Sequence, residues 1–228
     1  MSEFASESMS QGDRERQHRA CEGLSASTRR DSAARRTCDV VIAGAAVVLL
    51  TPLLLALAVL IRLRLGSPVL FRQCRAGRHG REFAILKFRT MQRPRYPGQP
   101  DRERETPFGM ALRRASLDEL PQLMNILRGD MSLIGPRPTL PEQVRAYNPR
   151  QRGRLAVRPG LTGWAQVHGR NLLSWPERIE LDLWYLENRT WLLDARIVAL
   201  TVAALARPRG VVGLDGNNPG FPANTPGR

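Results

Sequence analysis

The chain has 228 residues, 42% of them hydrophobic, and a formal net charge of +14 from 35 Lys+Arg against 21 Asp+Glu. That length suits one domain with its own core, plus tails. Three cysteines (Cys21, Cys38, Cys74) without a CxxC pairing argue against a disulfide framework and for a reducing compartment, and three scattered histidines (His18, His79, His168) argue against a zinc site.

Residues 1–36 are rich in Ser, Arg and Glu and read as a disordered tail, nearly balanced in charge, with seven arginines against six acids up to residue 37. No cleavable signal peptide is expected, because the first apolar run begins too late and lacks a small-residue cleavage site. That run is VVIAGAAVVLLTPLLLALAVLI, Val40 to Ile61, 22 residues without a charge. A straight helix of this length would reach about 33 Å, enough to cross a bilayer core. Pro52 near its middle removes a helical hydrogen bond and clashes with the turn before it. Both flanks are basic, with Arg29, Arg30, Arg35 and Arg36 before the run and Arg62, Arg64 and Arg72 after it. Positive residues favour the cytoplasmic side, so both ends are expected there. The segment 37–65 therefore reads as a re-entrant membrane helix broken at Pro52, with Thr51 helping to satisfy the freed carbonyls. A kinked span and a buried soluble helix are the alternatives.

Next, PVLFRQ and REFAILKFRTM flank a Gly-rich turn at Gly77 and Gly80, which predicts a strand pair. Across residues 62–95 ten basic residues face Glu82 alone. A surplus of that size points to an anionic partner (lipid headgroups, nucleic acid or a phosphorylated small molecule), against the plainer reading of a solvated basic face. Residues 92–108 read as a mobile loop. Helices are expected at 109–114, 119–128, 139–147, 175–187 and 191–206, with loops at Gly135–Pro138 and Arg158–Gly169. The last helix is too short to span a membrane; it lies in the interface or packs on the core. From Arg207 the tail reads as flexible. The fold class is thus helix-rich mixed α/β: a re-entrant helix, a small β-hairpin and helices packed at the membrane interface, with residues 66–206 as the working domain.

The stretch ASLDELPQLMNILRGDMSLIGPRP, Ala115 to Pro138, sets two neighbouring carboxylates, Asp118 and Glu119, among arginines in a basic chain. Ser116 with Glu119 fits an S-x-x-E capping box. Alternatively Pro121 is the first helical residue and 116–120 form a turn. Capping leaves Asp118 without a task. Neighbouring carboxylates at a helix entrance can converge on one divalent cation, or divide labour between nucleophile and metal ligand or base.

LRRASLDELPQLMNILRGDMSLIGPRP followed by RPGLTGWAQVHGRN, with KFRTM upstream and LLDARI downstream, resembles the bacterial sugar transferases, small monotopic phosphoglycosyl transferases. The resemblance covers roughly residues 38–205 and implies transfer of a sugar 1-phosphate from a UDP-sugar to undecaprenyl phosphate, initiating an exopolysaccharide or related glycan. It implies Asp118 as the nucleophile, a covalent aspartyl phosphosugar and release of UMP. Glu119 would activate the lipid phosphate or order the metal; Mg²⁺, held by Asp118 and Glu119, would neutralise diphosphate oxygens. Arg113, Arg137 and Arg170 are carried over as phosphate contacts, since guanidinium forks suit phosphate oxygens, and Asp194 as a further site carboxylate. Arg114, Arg128 and Arg158 read as surface charges.

Lys87 is the only lysine among 35 basic residues, which points to a position needing a compact point charge for phosphate or for Asp118. RPGLTGW, Arg158 to Trp164, either brings backbone N–H groups to a phosphate or base or makes a tight structural turn. Trp164, Trp175, Trp184, Tyr185 and Trp191 form an interfacial shelf or pack in the core. Two departures from the family pattern stand out: Thr51-Pro52 replaces Ser-Pro at the membrane break, and His168 stands where asparagine is usual. The expected partners are a UDP-sugar, undecaprenyl phosphate and membrane lipids, at the bacterial inner membrane with the catalytic domain facing the cytoplasm. No nucleic acid is expected, since no recognition-helix, zinc-finger or RNA-binding signature occurs. The competing class is a non-catalytic, basic, membrane-tethered binding protein. A homo-oligomer, partnership with downstream glycosyltransferases and the identity of the sugar are left open.

Overall fold

The computed structural model describes residues 32–169 and 173–206. The expected tails, up to residue 31 and from 207 on, and Arg170 lie outside the described residues.

The first element is α1 (Ala33–Leu65), whose N-terminus is capped by Ser32: its hydroxyl oxygen accepts from Arg35 N at 3.4 Å. That cap starts the helix at residue 33, ahead of the expected boundary at 37. Ala and Leu give up little side-chain entropy in a helix, and Arg62 and Arg64 suit the negative end of its dipole. α1 does not end at Pro52 but stays helical on both sides of it. Thr51 Oγ1 donates to Val47 O at 2.7 Å, beside the Val48 carbonyl that Pro52 has no N–H to serve. Tertiary packing supports the helix on both sides of this point. Ala43, Val47 and Leu50 face one apolar cluster and Leu54, Leu57, Ile61 and Leu65 another, in one stripe at three- and four-residue steps. The opposite face exposes Val41, Ile42, Val48, Leu49, Leu55, Val59 and Leu63. By length and composition α1 could cross a membrane.

The hairpin forms as expected, shifted by a few residues. Strand β1 (Leu70–Ala76) pairs antiparallel with β2 (Glu82–Phe88), Leu70 opposite Phe88 and Ala76 opposite Glu82. Ile85 and Phe88 reach the two clusters under α1. The expected loop contains a short helix, α2 (Asp101–Arg104), and runs into α3 (Pro107–Arg114), capped by Thr106. A 3-10 turn (Leu117–Glu119) then leads into α4 (Gln122–Arg128), which lies between α1 and β2. Asn125 is fully buried and joins α4 to β2: its Oδ1 accepts from Leu86 N at 3.0 Å and its Nδ2 donates to Ala84 O at 2.8 Å. These bonds close one edge of the hairpin.

After α4 come β3 (Ser132–Ile134), α5 (Pro141–Arg145), α6 (Pro149–Arg152), a 3-10 turn (Gly153–Ala156) and β4 (Gly160–Thr162). Strands β3 and β4 pair in parallel, Ser132 with Gly160 and Ile134 with Thr162, β4 lying within the expected loop Arg158–Gly169. Each is only three residues long, too short for a periodicity signal. The pairing depends on close backbone approach: a Cβ on Gly160 would lie 2.1 Å from Gly135 N, and one on Gly163 2.1 Å from Gly135 O. Finally α7 (Trp164–Val167), α8 (Trp175–Glu187) and α9 (Trp191–Ala206) close a third cluster around Val157, Trp164, Tyr185, Leu186 and Ile197. The aromatic set divides. Trp164 and Tyr185 are core, Trp175 is half-buried, and Trp184 and Trp191 are exposed.

Candidate active site

The acidic pair lies on the 3-10 turn between α3 and α4. Ser116, directly before it, has φ 55°, in the left-handed region. A non-glycine residue held there costs free energy, and such positions cluster at functional sites. The capping box expected from Ser116 and Glu119 does not form: Ser116 makes no capping hydrogen bond, and Glu119 points elsewhere. The structure follows the second reading to within one residue, because Pro121 directly precedes the first helical residue, Gln122.

Glu119 is held by two cations through one oxygen. Lys87 Nζ on β2 and Arg137 Nη2 on the loop after β3 each donate to Glu119 Oε1 at 2.7 Å. Burial alone would raise the Glu119 pKa, but Arg137 and Lys87 outweigh it and hold the carboxyl well below the usual range. Asp118 differs. It is 8% exposed, and no hydrogen bond or ion pair reaches its carboxylate among the described residues. Burial first, and then the charge of Glu119, push its pKa up from 3.8 to about 6, against the opposing pull of Lys87, Arg137 and Arg113. At neutral pH it is therefore ionised, poorly solvated and unpaired, the condition of a carboxylate available for attack.

Each cation is positioned by its element. Lys87 sits on β2 beside Leu86, whose N–H is fixed by Asn125. Arg113, in the last turn of α3, donates from Nε to Thr90 Oγ1 at 2.9 Å and from Nη1 to Glu105 Oε1 at 3.0 Å. Arg137 lies on a loop with four consecutive carbonyls bonded. Pro136 O accepts from Gly160 N at 2.9 Å, Arg137 O from Arg154 Nη2 at 3.2 Å, Pro138 O from Arg75 Nη1 at 3.4 Å and Thr139 O from Ala76 N at 2.9 Å.

Arg154, Asp182, Tyr147 and Arg75 were not singled out from the sequence. Arg154 is buried and pairs with Asp182 Oδ2 at 2.5 Å while donating to the Tyr147 hydroxyl, which itself donates to Thr139 Oγ1 at 3.2 Å. Asp182 carried a readable signal: it is the one acid on the apolar stripe of α8 made by Ile179, Leu183 and Leu186. Burial first, then Arg137, lowers the Arg75 pKa to about 10.

Of the residues proposed from sequence, the structure brings together Lys87, Asp118, Glu119 and Arg137, with Arg113 close enough to act on Asp118 electrostatically. Asp194 belongs to another group. It pairs with Arg35 at the start of α1 and accepts from Tyr185 Oη at 2.6 Å. Arg170 lies outside the described residues. Arg158 donates from Nε to Gly129 O at 2.9 Å, tying β4 to the end of α4. His168 Nδ1 lies 2.9 Å from Trp164 O, one turn back.

Among the described residues no group of three or more His, Cys, Asp or Glu side chains could hold a metal ion by itself. The donor set still fits Mg²⁺ with substrate present. One oxygen of Glu119 takes both cations, and the Asp118 carboxylate has no protein donor. One or two carboxylates plus substrate phosphates are what Mg²⁺ ordinarily takes.

Comparison with known proteins places the chain in a family. The sequence model of the bacterial sugar transferase family matches residues 30–208. A Bacillus subtilis protein described as an uncharacterized sugar transferase, EpsL, is 47% identical over 154 residues, 66% of this chain and 76% of its own. The exopolysaccharide production protein ExoY of Sinorhizobium fredii is 37% identical over 196 residues, covering 77% and 87%. A UDP-glucose:undecaprenyl-phosphate glucose-1-phosphate transferase of Caulobacter vibrioides is 44% identical over 184 residues, covering 75% and 69%. The chain therefore belongs to the bacterial sugar transferase family.

Proposed function

We propose that this enzyme transfers a sugar 1-phosphate from a UDP-sugar to undecaprenyl phosphate and so starts a lipid-linked exopolysaccharide or related glycan. The observation that carries the reading is Asp118: buried, unpaired and raised to about 6, beside a Glu119 whose Oε1 is held by Lys87 and Arg137. A carboxylate kept free of partners at such a cost fits a nucleophile better than a structural ion pair.

In this mechanism an oxygen of Asp118 attacks the β-phosphorus of the UDP-sugar. The bond from that phosphorus to the oxygen bridging to the α-phosphate breaks, and UMP leaves with the electron pair. An oxygen of undecaprenyl phosphate then attacks the aspartyl phosphosugar, breaking the bond to Asp118 and restoring the carboxylate. Lys87, Arg137 and Arg113 offset the repulsion between an anionic nucleophile and an anionic diphosphate. Arg170 is a further phosphate contact in this reading. Mg²⁺, held by Asp118 and Glu119 with the diphosphate, would neutralise charge on its oxygens.

The membrane part of the proposal is that α1 enters from the cytoplasmic side of the inner membrane, bends at Pro52 and returns. Its outer face is apolar and exposed, yet both ends are tied to the same domain. At the start, Arg35 pairs with Asp194, and Arg36 donates to Ile126 O at 2.6 Å and Leu127 O at 2.9 Å. At the end, Arg89 donates to the carbonyls of Leu65, Gly66 and Ser67. A simple span would carry one end across about 30 Å of hydrocarbon, away from such polar partners. Exposed Trp184 and Trp191 suit the headgroup level beside it.

The test is a panel of UDP-sugars given to the membrane-embedded enzyme with Mg²⁺ and undecaprenyl phosphate, scored for UMP. Lipid acceptor withheld, intact-protein mass spectrometry should find the phosphosugar on Asp118. Failure to release UMP from any sugar in the panel would overturn the reading.

A further inference from the structure

We propose that Gln122 is a catalytic residue that donates a hydrogen bond to a phosphoryl oxygen of the sugar phosphate handled at Asp118; this rests on the phosphosugar transfer proposed above. Gln122 opens α4, is 2% exposed, and its buried Nε2 has no hydrogen-bond partner among the described residues. Buried amide donors are nearly always paired, so one left open calls for a reason.

Its position supplies one. From Ser116 to Met124 the backbone closes i→i+3 bonds: Glu119 N to Ser116 O at 3.2 Å, Leu120 N to Leu117 O at 3.4 Å, Leu123 N to Leu120 O at 3.1 Å and Met124 N to Pro121 O at 3.1 Å. Glu119 on the 3-10 turn and Gln122 and Asn125 on α4 follow at three-residue steps, so they form a row on one face. The outer members of that row both meet β2: Glu119 bonds Lys87, and Asn125 bonds Leu86 N and Ala84 O. By this spacing Gln122 lies between them, one turn from the acidic pair, on the face that Glu119 and Asn125 turn toward β2.

A leucine or methionine would fill this buried place without an orphan donor, so packing does not account for the amide. Phosphoryl transfer does. As Asp118 attacks, negative charge rests on the non-bridging oxygens, and fixed donors aimed at such oxygens stabilise the transition state. A neutral donor also leaves the balance among Lys87, Glu119 and Arg137 undisturbed. No proton moves: the N–H holds the oxygen while the Asp118–phosphorus bond forms and the bond to the leaving UMP breaks.

Gln122→Met, close in volume and without a donor, is the test, made on the full chain in detergent or nanodiscs. Its thermal midpoint should equal or exceed that of the wild type. UMP release should slow about 100-fold, and inorganic diphosphate, measured by calorimetry, should bind about tenfold more weakly. Diphosphate affinity that is equal in both proteins, or absent from both, overturns the assignment, as does a thermal midpoint that falls in step with the rate. If Gln122-dependent diphosphate binding is found but the wild type leaves every UDP-sugar intact, the transferase reading fails and the donor assignment survives. If the wild type releases UMP and Gln122→Met matches it, the donor assignment alone fails.

Discussion

Two buried aspartates of this protein, Asp118 and Asp194, are 8% and 6% exposed, and their surroundings could hardly differ more. Asp194 is satisfied on both oxygens: Arg35 pairs with Oδ2 and the Tyr185 hydroxyl donates to Oδ1, while Arg189 Nε steadies that hydroxyl at 3.0 Å and the Arg35 guanidinium covers the Trp191 ring at 4.6 Å. This cluster ties the start of α1 to α8 and α9. Asp118 has cations nearby but none bonded to it, because its neighbour Glu119 takes the two nearest. Equal burial thus serves opposite ends. A saturated carboxylate holds elements together, and a bare one is kept for a ligand.

The widest expected separation between the two comes from removing each charge. Asp118→Asn should lower UMP release by roughly 1,000-fold or more and abolish the mass-spectrometric adduct. The same change should stabilise the fold. Asp118 binds its proton more tightly when folded, so wild-type stability falls as pH rises from about 4 to about 6 and stays lower above that. Asparagine escapes this loss, which amounts to as much as about 3 kcal/mol at neutral pH. Denaturant unfolding at pH 4 and pH 7.5 measures it. Asp194→Asn should do the reverse, leaving Arg35 partly unpaired and costing about 3–5 kcal/mol of stability, while the molecules that remain folded release UMP at a rate close to wild type. A rate loss at Asp194 as deep as that at Asp118 would erase the contrast.

How far the sequence reveals this contrast depends on the range of each interaction. The hairpin and helices α8 and α9 are legible because periodicity and turn residues are local signals. The acidic pair, Lys87 and Arg137 are legible as unusual residues in long motifs. Whether a carboxylate is paired is not local. Lys87 lies 32 residues from Glu119, and Arg35 lies 159 residues from Asp194, so no spacing reveals either pairing. The parallel pairing of β3 with β4 is missed for the same reason, and the tertiary packing that keeps α1 helical on both sides of Pro52 is likewise not local.

Arg154–Asp182 lies between the two extremes: Asp182 Oδ2 is paired with Arg154 while its buried Oδ1 has no hydrogen-bond partner among the described residues, and Arg154 is also bonded to the main chain of a site residue through Arg137 O. Asp182→Asn should therefore lower both stability and rate, the rate by about tenfold. A double-mutant cycle with Arg137→Gln separates the two effects. If Asp182 acts through the Arg137 loop, the double variant should be no slower than Arg137→Gln alone. Additive losses would make Arg154–Asp182 a purely structural pair, on the same footing as Arg35–Asp194.

The smallest and most discriminating effects are on pH dependence. Attack requires an ionised Asp118, so kcat/KM for UMP release should fall about tenfold per pH unit below a midpoint near 6 and level off above it. Lys87→Met removes the charge that most favours the ionised form and should move the midpoint upward, further than Arg113→Met does. Glu119→Gln removes a like charge and frees two cations, so the midpoint should move downward. Asp194→Asn, whose charge is neutralised by Arg35 in a separate cluster, should leave it unmoved. Opposite shifts at Lys87 and Glu119, with none at Asp194, would identify the titrating group as Asp118; shifts of the same sign at Lys87 and Glu119 would assign the acidic limb to another group and remove the electrostatic basis for treating Asp118 as the nucleophile.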